Sequence, residues 1–229
     1  MALARQKESL KAPFLVVALP RMDDPFFVQK VVLVVEYSAE KGAKGFCLNN
    51  CFPFPLNASQ EESAEKVESN RLHLELKDFS GKTIVTVEED ILCGGPADTE
   101  RLFALHGKLP LKTQKSVKID SKSRFFYSTH ADTFTELMNY RNKNKSQLEK
   151  PFFLRYFIGQ CLWKPGQLED EIHSGVWLIC PFEEELMTEK IGQDQAKWSR
   201  DFWRRSSLLA GADPLIMMGM PVQQSPVLN

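Results

Sequence analysis

Between Trp163 and Pro181 the chain reads WKPGQLEDEIHSGVWLICP, which sets Glu169, Asp170, Glu171 and His173 within five residues, beside a Pro-Gly pair and between two tryptophans. Carboxylates and an imidazole at that density suggest a divalent-metal site or an acid/base pair. Glu169 and His173 are four apart, the spacing that brings two side chains to one helix edge. No HExxH or paired CxxC supplies the remaining ligands, so no metal and no cofactor are assigned. A catalytic carboxylate needs a pKa raised by burial, whereas three neighbouring acids in a short exposed turn favour solvation. The simpler reading is structural: Pro165 opens a short amphipathic helix, Leu168 and Ile172 face the core, and the acids meet the positive end of the helix dipole.

Other residues also have chemical potential. Cys93 precedes Gly94, Gly95 and Pro96, and a Gly-Gly loop can aim backbone N–H groups at an anion, all the more if Asp98 or Thr99 starts a helical turn. The alternative is a tight connection between strands. His106 falls on the next strand of an expected hairpin, where it could face Cys93 as the base of a hydrolase, although no third, orienting residue is identifiable. Cys47 and Cys51 are not a CxxC pair; in an extended strand their Cα atoms would lie over about 12 Å apart, beyond disulfide reach. In WSRDFWRR, Arg200, Arg204 and Arg205 could edge a phosphate backbone while Trp198 and Phe202 pack inward. Arginines snorkelling from a docked helix explain that pattern equally, and no helix-turn-helix accompanies it.

Composition limits the classes of function. The chain has 229 residues, enough for a self-sufficient core, and 29 Lys plus Arg against 30 Asp plus Glu give a net charge of -1. There is no overall field to attract nucleic acid or an anionic membrane. Five dispersed cysteines argue for reduced thiols and a cytoplasmic protein rather than a disulfide framework. Lys7 and Lys11 before FLVVAL imitate a signal peptide, but Glu8 interrupts the charged region and the apolar run is too short. No stretch approaches the roughly 20 apolar residues of a membrane span.

The elements that must position these groups are mainly strands. FLVVAL and KVVLVVEY are continuous β-branched runs covered on both faces, separated by the turn MDDPFF. GFCLNN follows, and after it the acidic segment 57–70 reads as a solvated helix or loop. LHLEL, KTIVTV, ILCGG, RLFALHG, KSVKI and RFFYS read as further strands of a sheet with one wet face. A helix capped by Ser128 or Thr129 is expected to run to about Asn142. PFFLRYFIG and 176–180 read as strands, and a last helix over 194–210 ends at Gly211. Strands before helices give the class α+β.

In this order and spacing, FLVVALPRMDDPFFVQKVVLVVEY, GAKGFCLNN, CGGPAD, RLFALHG, WKPGQLEDEI and WLICP resemble the AlgH/YqgE-like bacterial proteins. The most specific motifs are the turn carrying Pro20, Met22, Asp24, Pro25 and Phe27 and the Pro-Gly-Gln-Leu-Glu turn of Pro165, Gly166, Gln167, Leu168 and Glu169. The resemblance covers residues 13–214, leaving an extension over 1–12 and a tail over 215–229 with Met217, Met218 and Met220. It implies a single α+β domain whose branched, largely antiparallel sheet folds into a pseudo-barrel flanked by helices. Members carry a transcriptional-regulator label, and no catalytic mechanism comes with the resemblance. The chain also departs from the pattern. Where the family reads Gly-Tyr-Ala-Gly-Trp-Gly, this sequence has Gly159, Gln160, Cys161, Leu162, Trp163 and Lys164; Cys51 replaces a proline, Tyr37 a histidine, and 71–87 is additional.

The favoured expectation is a cytoplasmic regulatory or binding protein. It would recognise a protein or small ligand through Gly94, Gly95, Pro96, His106 and the turn of Trp163, Pro165, Gly166, Gln167 and Glu169, because recognition residues concentrate in loops. The alternative is a hydrolase using Cys93 or His106, and the third is nucleic-acid binding through Arg200, Arg204 and Arg205.

Overall fold

A computed structural model describes residues 10–51, 76–77, 83–85, 91–109, 112, 115–121, 123–143, 153–192 and 194–213. The acidic segment 57–70, most of the additional 71–87, most of the N-terminal extension and the methionines of the tail lie outside the described residues.

The two β-branched runs become neighbouring central strands, β1 (Phe14–Ala18) and β2 (Val31–Ser38), with every residue of β1 and the first five of β2 buried. Such runs have no polar face to turn to water, so both faces must be covered. The sheet continues through β3 (Gly42–Cys47). Beyond a separate pair, β4 (Leu76–Lys77) and β5 (Thr83–Val85), come β6 (Ile91–Cys93), β7 (Ala97–Gly107), β8 (Val117–Lys118) and β9 (Phe125–Ser128). After helix α1 (Ala131–Lys143) the chain forms β10 (Leu154–Trp163), helix α2 (Gln167–His173), β11 (Trp177–Cys180), α3 (Glu184–Thr188) and α4 (Gln195–Leu209). The main sheet runs β11-β1-β2-β3-β10-β7-β9-β8 and is antiparallel apart from β6, which branches parallel onto β10. It is the expected α+β half-barrel with flanking helices.

Three apolar clusters hold it. Phe46, Phe103, Phe125 and Phe157 fill the barrel with Trp198, Phe202 and Trp203 of α4. Trp163, Leu168 and Trp177 form a second cluster under α2, and Phe134 and Leu137 of α1 join Tyr156 in a third. The last helix starts and ends as its sequence predicts: Asp194 accepts the Lys197 N–H at 2.9 Å, and Gly211 follows with φ 84°.

Two expectations are corrected. The strand starting at PFFLRYFIG runs on to Trp163, because the chain bulges at Gly159 and resumes pairing with β3. The expected hairpin between the Cys93 and His106 strands does not form. Cys93 pairs with Ile158 on one edge of β10 and Ala97 pairs with Gln160 on the other, so residues 94–96 pass across β10 itself.

Candidate functional site

The Gly-Gly motif serves that crossing. A Cβ on Gly95 would sit 2.0 Å from the Gln160 carbonyl carbon, and one on Gly94 would sit 2.3 Å from the Gly159 oxygen, so two backbones meet where no side chain fits. The polar groups of Gly94 are spent internally. The Gly94 N–H donates to the Ile158 oxygen at 2.7 Å, and the Gly94 oxygen accepts the Cys47 N–H at 2.8 Å. The anion-cradle reading therefore gives way to the tight connection. Asp98 starts no helix; it lies in β7 at φ 50°, accepts a hydrogen bond from Gln160 and pairs with Arg101 at 3.2 Å.

Cys93 and His106 are not a dyad. They flank β10 on opposite edges, four residues apart in register, a separation on the order of 16 Å. Burial pushes the Cys93 thiol up, away from a reactive thiolate. The same effect raises Cys47 to about 12 and Cys180 to about 11, and none of the five cysteines is in a disulfide. His106 is buried and fully engaged. Its Nδ1–H donates to the Gly107 oxygen at 2.8 Å, its Nε2 accepts from Ser116 at 2.8 Å, and its ring stacks on Phe126. Burial lowers its pKa from 6.5.

That shift has a checkable consequence. The unfolded chain binds a proton at His106 near pH 6.5 while the folded chain resists, so this contribution is complete above that pH and is lost as pH falls toward the folded value. Urea midpoints at pH 7.5 and 5.5 are expected to differ more for wild type than for His106→Gln. Equal differences would remove His106 from the account.

The WKPGQLEDEI turn is where the structure brings chemistry together. Lys164 to Gln167 form a β-turn closed by the Gln167 N–H on the Lys164 oxygen at 3.0 Å, with Pro165 at its second position and Gly166 at φ 79° at its third. Helix α2 thus begins at Gln167, two residues later than Pro165 as a first-turn residue would place it. The Gln167 side chain clips the turn, accepting the Lys164 N–H at 3.0 Å and donating to Glu171 at 2.9 Å. Leu168 is buried, and Glu169 accepts the Tyr37 hydroxyl at 2.6 Å. Burial and that carboxylate push Tyr37 up to about 12.

Glu171 is the residue that sequence reasoning missed. One of its oxygens accepts both the Trp163 indole N–H at 2.9 Å and the Trp177 indole N–H at 2.7 Å, while the other takes Gln167. The acids of the turn are therefore not simply solvated: two of them hold aromatic side chains in position. The signal was present in two tryptophans at six and eight residues from a glutamate, but only the strand–helix–strand path folds them onto it. His173 donates Nδ1–H to the Glu169 backbone oxygen at 2.6 Å and stays exposed. Among the described residues no three His, Cys, Asp or Glu side chains converge.

Beside the turn lies an open groove of ≈ 620 Å³, lined by Tyr37, Lys41, Lys44, Leu162, Trp163 and Lys164 among others. Burial pushes Glu36 at its rim upward, but hydrogen bonds from Tyr127 and Lys44 outweigh this and hold the carboxylate below 4.5. On α4, Arg200, Arg204 and Arg205 are exposed, Trp198 and Phe202 are buried as expected, and Arg205 is tied to Glu189 at 2.6 Å. The groove along that helix sets Lys197, Arg204 and Arg205 against Glu189, Asp194 and Asp201. Such balance makes a poor phosphate track. Among the described residues no helix is long and apolar enough to cross a membrane.

A half-barrel sheet with a clipped turn beside a polar-rimmed groove, and with Cys93 and His106 on opposite edges of β10, defines an α+β protein. The chain belongs to the AlgH-like family, whose sequence model matches residues 15–214. Similar chains include a UPF0301 protein of Agrobacterium fabrum, 29% identical over 189 residues covering 81% of this chain and 82% of that one. Another is a UPF0301 protein of Pseudomonas fluorescens, 32% identical over 178 residues covering 78% and 80%. The solution structure of the AlgH protein from Pseudomonas aeruginosa superimposes with a TM-score of 0.54 at 21% identity, covering 95% of this chain and all of that one, a likeness of fold.

Proposed function

We propose that the protein is a cytoplasmic regulatory binding protein that recognises a protein or small ligand through the groove beside the Pro165–Glu169 turn. The observation that carries this reading is where the chain departs from the family pattern. Tyr37, Leu162 and Lys164, which replace a histidine and two glycines, all line the groove, and Leu162 is 49% exposed. Behind them Glu169 and Glu171 hold Tyr37 and Trp163 in fixed positions. Fixed polar anchors behind an exposed surface suit recognition, because little ordering remains to be done on binding. In this reading Pro165 and Gln167 of the turn line the groove, Glu169 supports it from behind, and Gly94, Gly95 and His106 contribute to the scaffold.

The test is to restore the family residues with Leu162→Gly/Lys164→Gly, both exposed positions, and to confirm folding by circular dichroism. Proteins and metabolites retained from native lysate by wild type and the variant are then compared by mass spectrometry. Wild type is expected to retain a species that the variant loses. Identical retained sets would sink the proposal.

A further inference from the structure

A second surface, between α3 and the C-terminal end of the amphipathic helix α4, has a character of its own. Leu208 and Leu209 close that helix at 49% and 46% exposure, two of the few large apolar side chains left to solvent among the described residues. They share a shallow groove of ≈ 740 Å³ with Leu186, Glu183, Glu185, Glu189 and Arg205. Arg205 is neutralised by Glu189 at 2.6 Å, which leaves Glu183 and Glu185 as exposed carboxylates with no ion-pair partner among the described residues. Glu184, between them, turns away to Arg124 at 2.7 Å. Two adjacent exposed leucines beside two uncompensated acids form an apolar strip with an anionic rim, unlike the charge-balanced groove further along α4.

From this we infer that the α3–α4 groove docks a basic amphipathic segment of another protein, its apolar side chains on Leu208 and Leu209 and its Lys or Arg side chains on Glu183 and Glu185. Charge decides between occupants. Residues 214–229 of the chain follow α4 directly and carry Leu215, Ile216, Met217 and Met218, but they contain no Lys or Arg, so they would match the leucines and leave the carboxylates unanswered. A basic amphipathic helix satisfies both features, as in helix-in-groove recognition. The rim pairs are exposed to water, so the acids set selectivity and salt dependence while the leucines hold the complex.

The probe is a fluorescein-labelled helical peptide of leucine and lysine, with a leucine–glutamate peptide as its counterpart, read by fluorescence anisotropy on the full chain. Wild type is expected to bind the lysine peptide and not the glutamate one, with affinity falling as salt rises. Leu208→Ser/Leu209→Ser is expected to weaken binding about tenfold or more, and Glu183→Lys/Glu185→Lys to reverse the peptide preference. All four positions are at the surface or half-exposed, and thermal unfolding checks that the variants remain folded. Lysine-peptide binding that is unchanged in both double variants overturns the inference. So does binding seen only after Ile216→Ser/Met217→Ser, a result that would assign the groove to the chain's own residues 214–229.

Discussion

Asn49→Ala is expected to destabilise the protein by about 4 kcal/mol, measured as the shift in urea-unfolding free energy. Asn49 is fully buried where the chain leaves β3, and its side chain joins three segments. Its Oδ1 accepts the Val31 N–H at 2.8 Å; its Nδ2 donates to the Gln29 oxygen at 3.0 Å and to the Ser199 backbone oxygen at 2.9 Å on α4. The Ser199 hydroxyl returns a bond to the Asn49 backbone oxygen at 2.5 Å. Alanine would leave one N–H and two carbonyls without these partners in a dry interior, each costing roughly 1–3 kcal/mol. Gln29, held at φ 55°, would lose a bond that fixes its conformation. Asn49→Asp keeps the shape but removes both donors and buries a charge, so it is expected to be at least as damaging near neutral pH. A loss under about 1 kcal/mol for alanine would show that the node is not what docks α4 on the sheet.

Glu171→Ala is the second large effect, about 3 kcal/mol by the same measurement, because it strands the indole N–H groups of two buried tryptophans at once. Bonds to a charged acceptor are stronger than neutral ones, and the Trp163 and Trp177 rings meet edge to face at 6.3 Å across that acceptor. Glu171→Gln keeps an acceptor oxygen without the charge and is expected to lose roughly half as much. Near-ultraviolet circular dichroism should weaken in the alanine variant, since the rings lose their fixed orientation. Because Trp163 lines the groove, any ligand of that groove should bind less tightly to the alanine variant even where folding is complete. Full stability with an unchanged tryptophan spectrum would show that the carboxylate is dispensable.

Much of the architecture was legible before any coordinates. The unbroken β-branched runs FLVVA and VVLVV require double coverage, and they are the buried strands next to each other in the sheet. Asp194, the Trp198–Phe202 spacing and Gly211 delimit α4 because caps and periodicity are local properties. The Pro-Gly pair marked a turn for the same reason, as ring-fixed φ at Pro165 and positive φ at Gly166 are decided within four residues.

The candidate site was less legible. Glu171 looked solvated because nothing in EDEIH says that β10 and β11 will bring an indole to it from each side. Gly94 and Gly95 looked like a ligand loop because glycine gives the same sequence signal for an anion cradle and for two backbones crossing. Cys93 and His106 looked like neighbours because sequence order suggests a hairpin, whereas the chain between their strands passes over β10 and sets them on opposite edges. By itself, then, the sequence determined the class, the family, the buried strands and the ends of α4, all of which follow from local conformational preference and apolar periodicity. Tertiary structure alone decided which polar atoms are satisfied and by whom: hydrogen-bond partners such as Glu171 with Trp177, or Asn49 with Ser199 150 residues away, are chosen by strand register and helix docking, which no local propensity encodes.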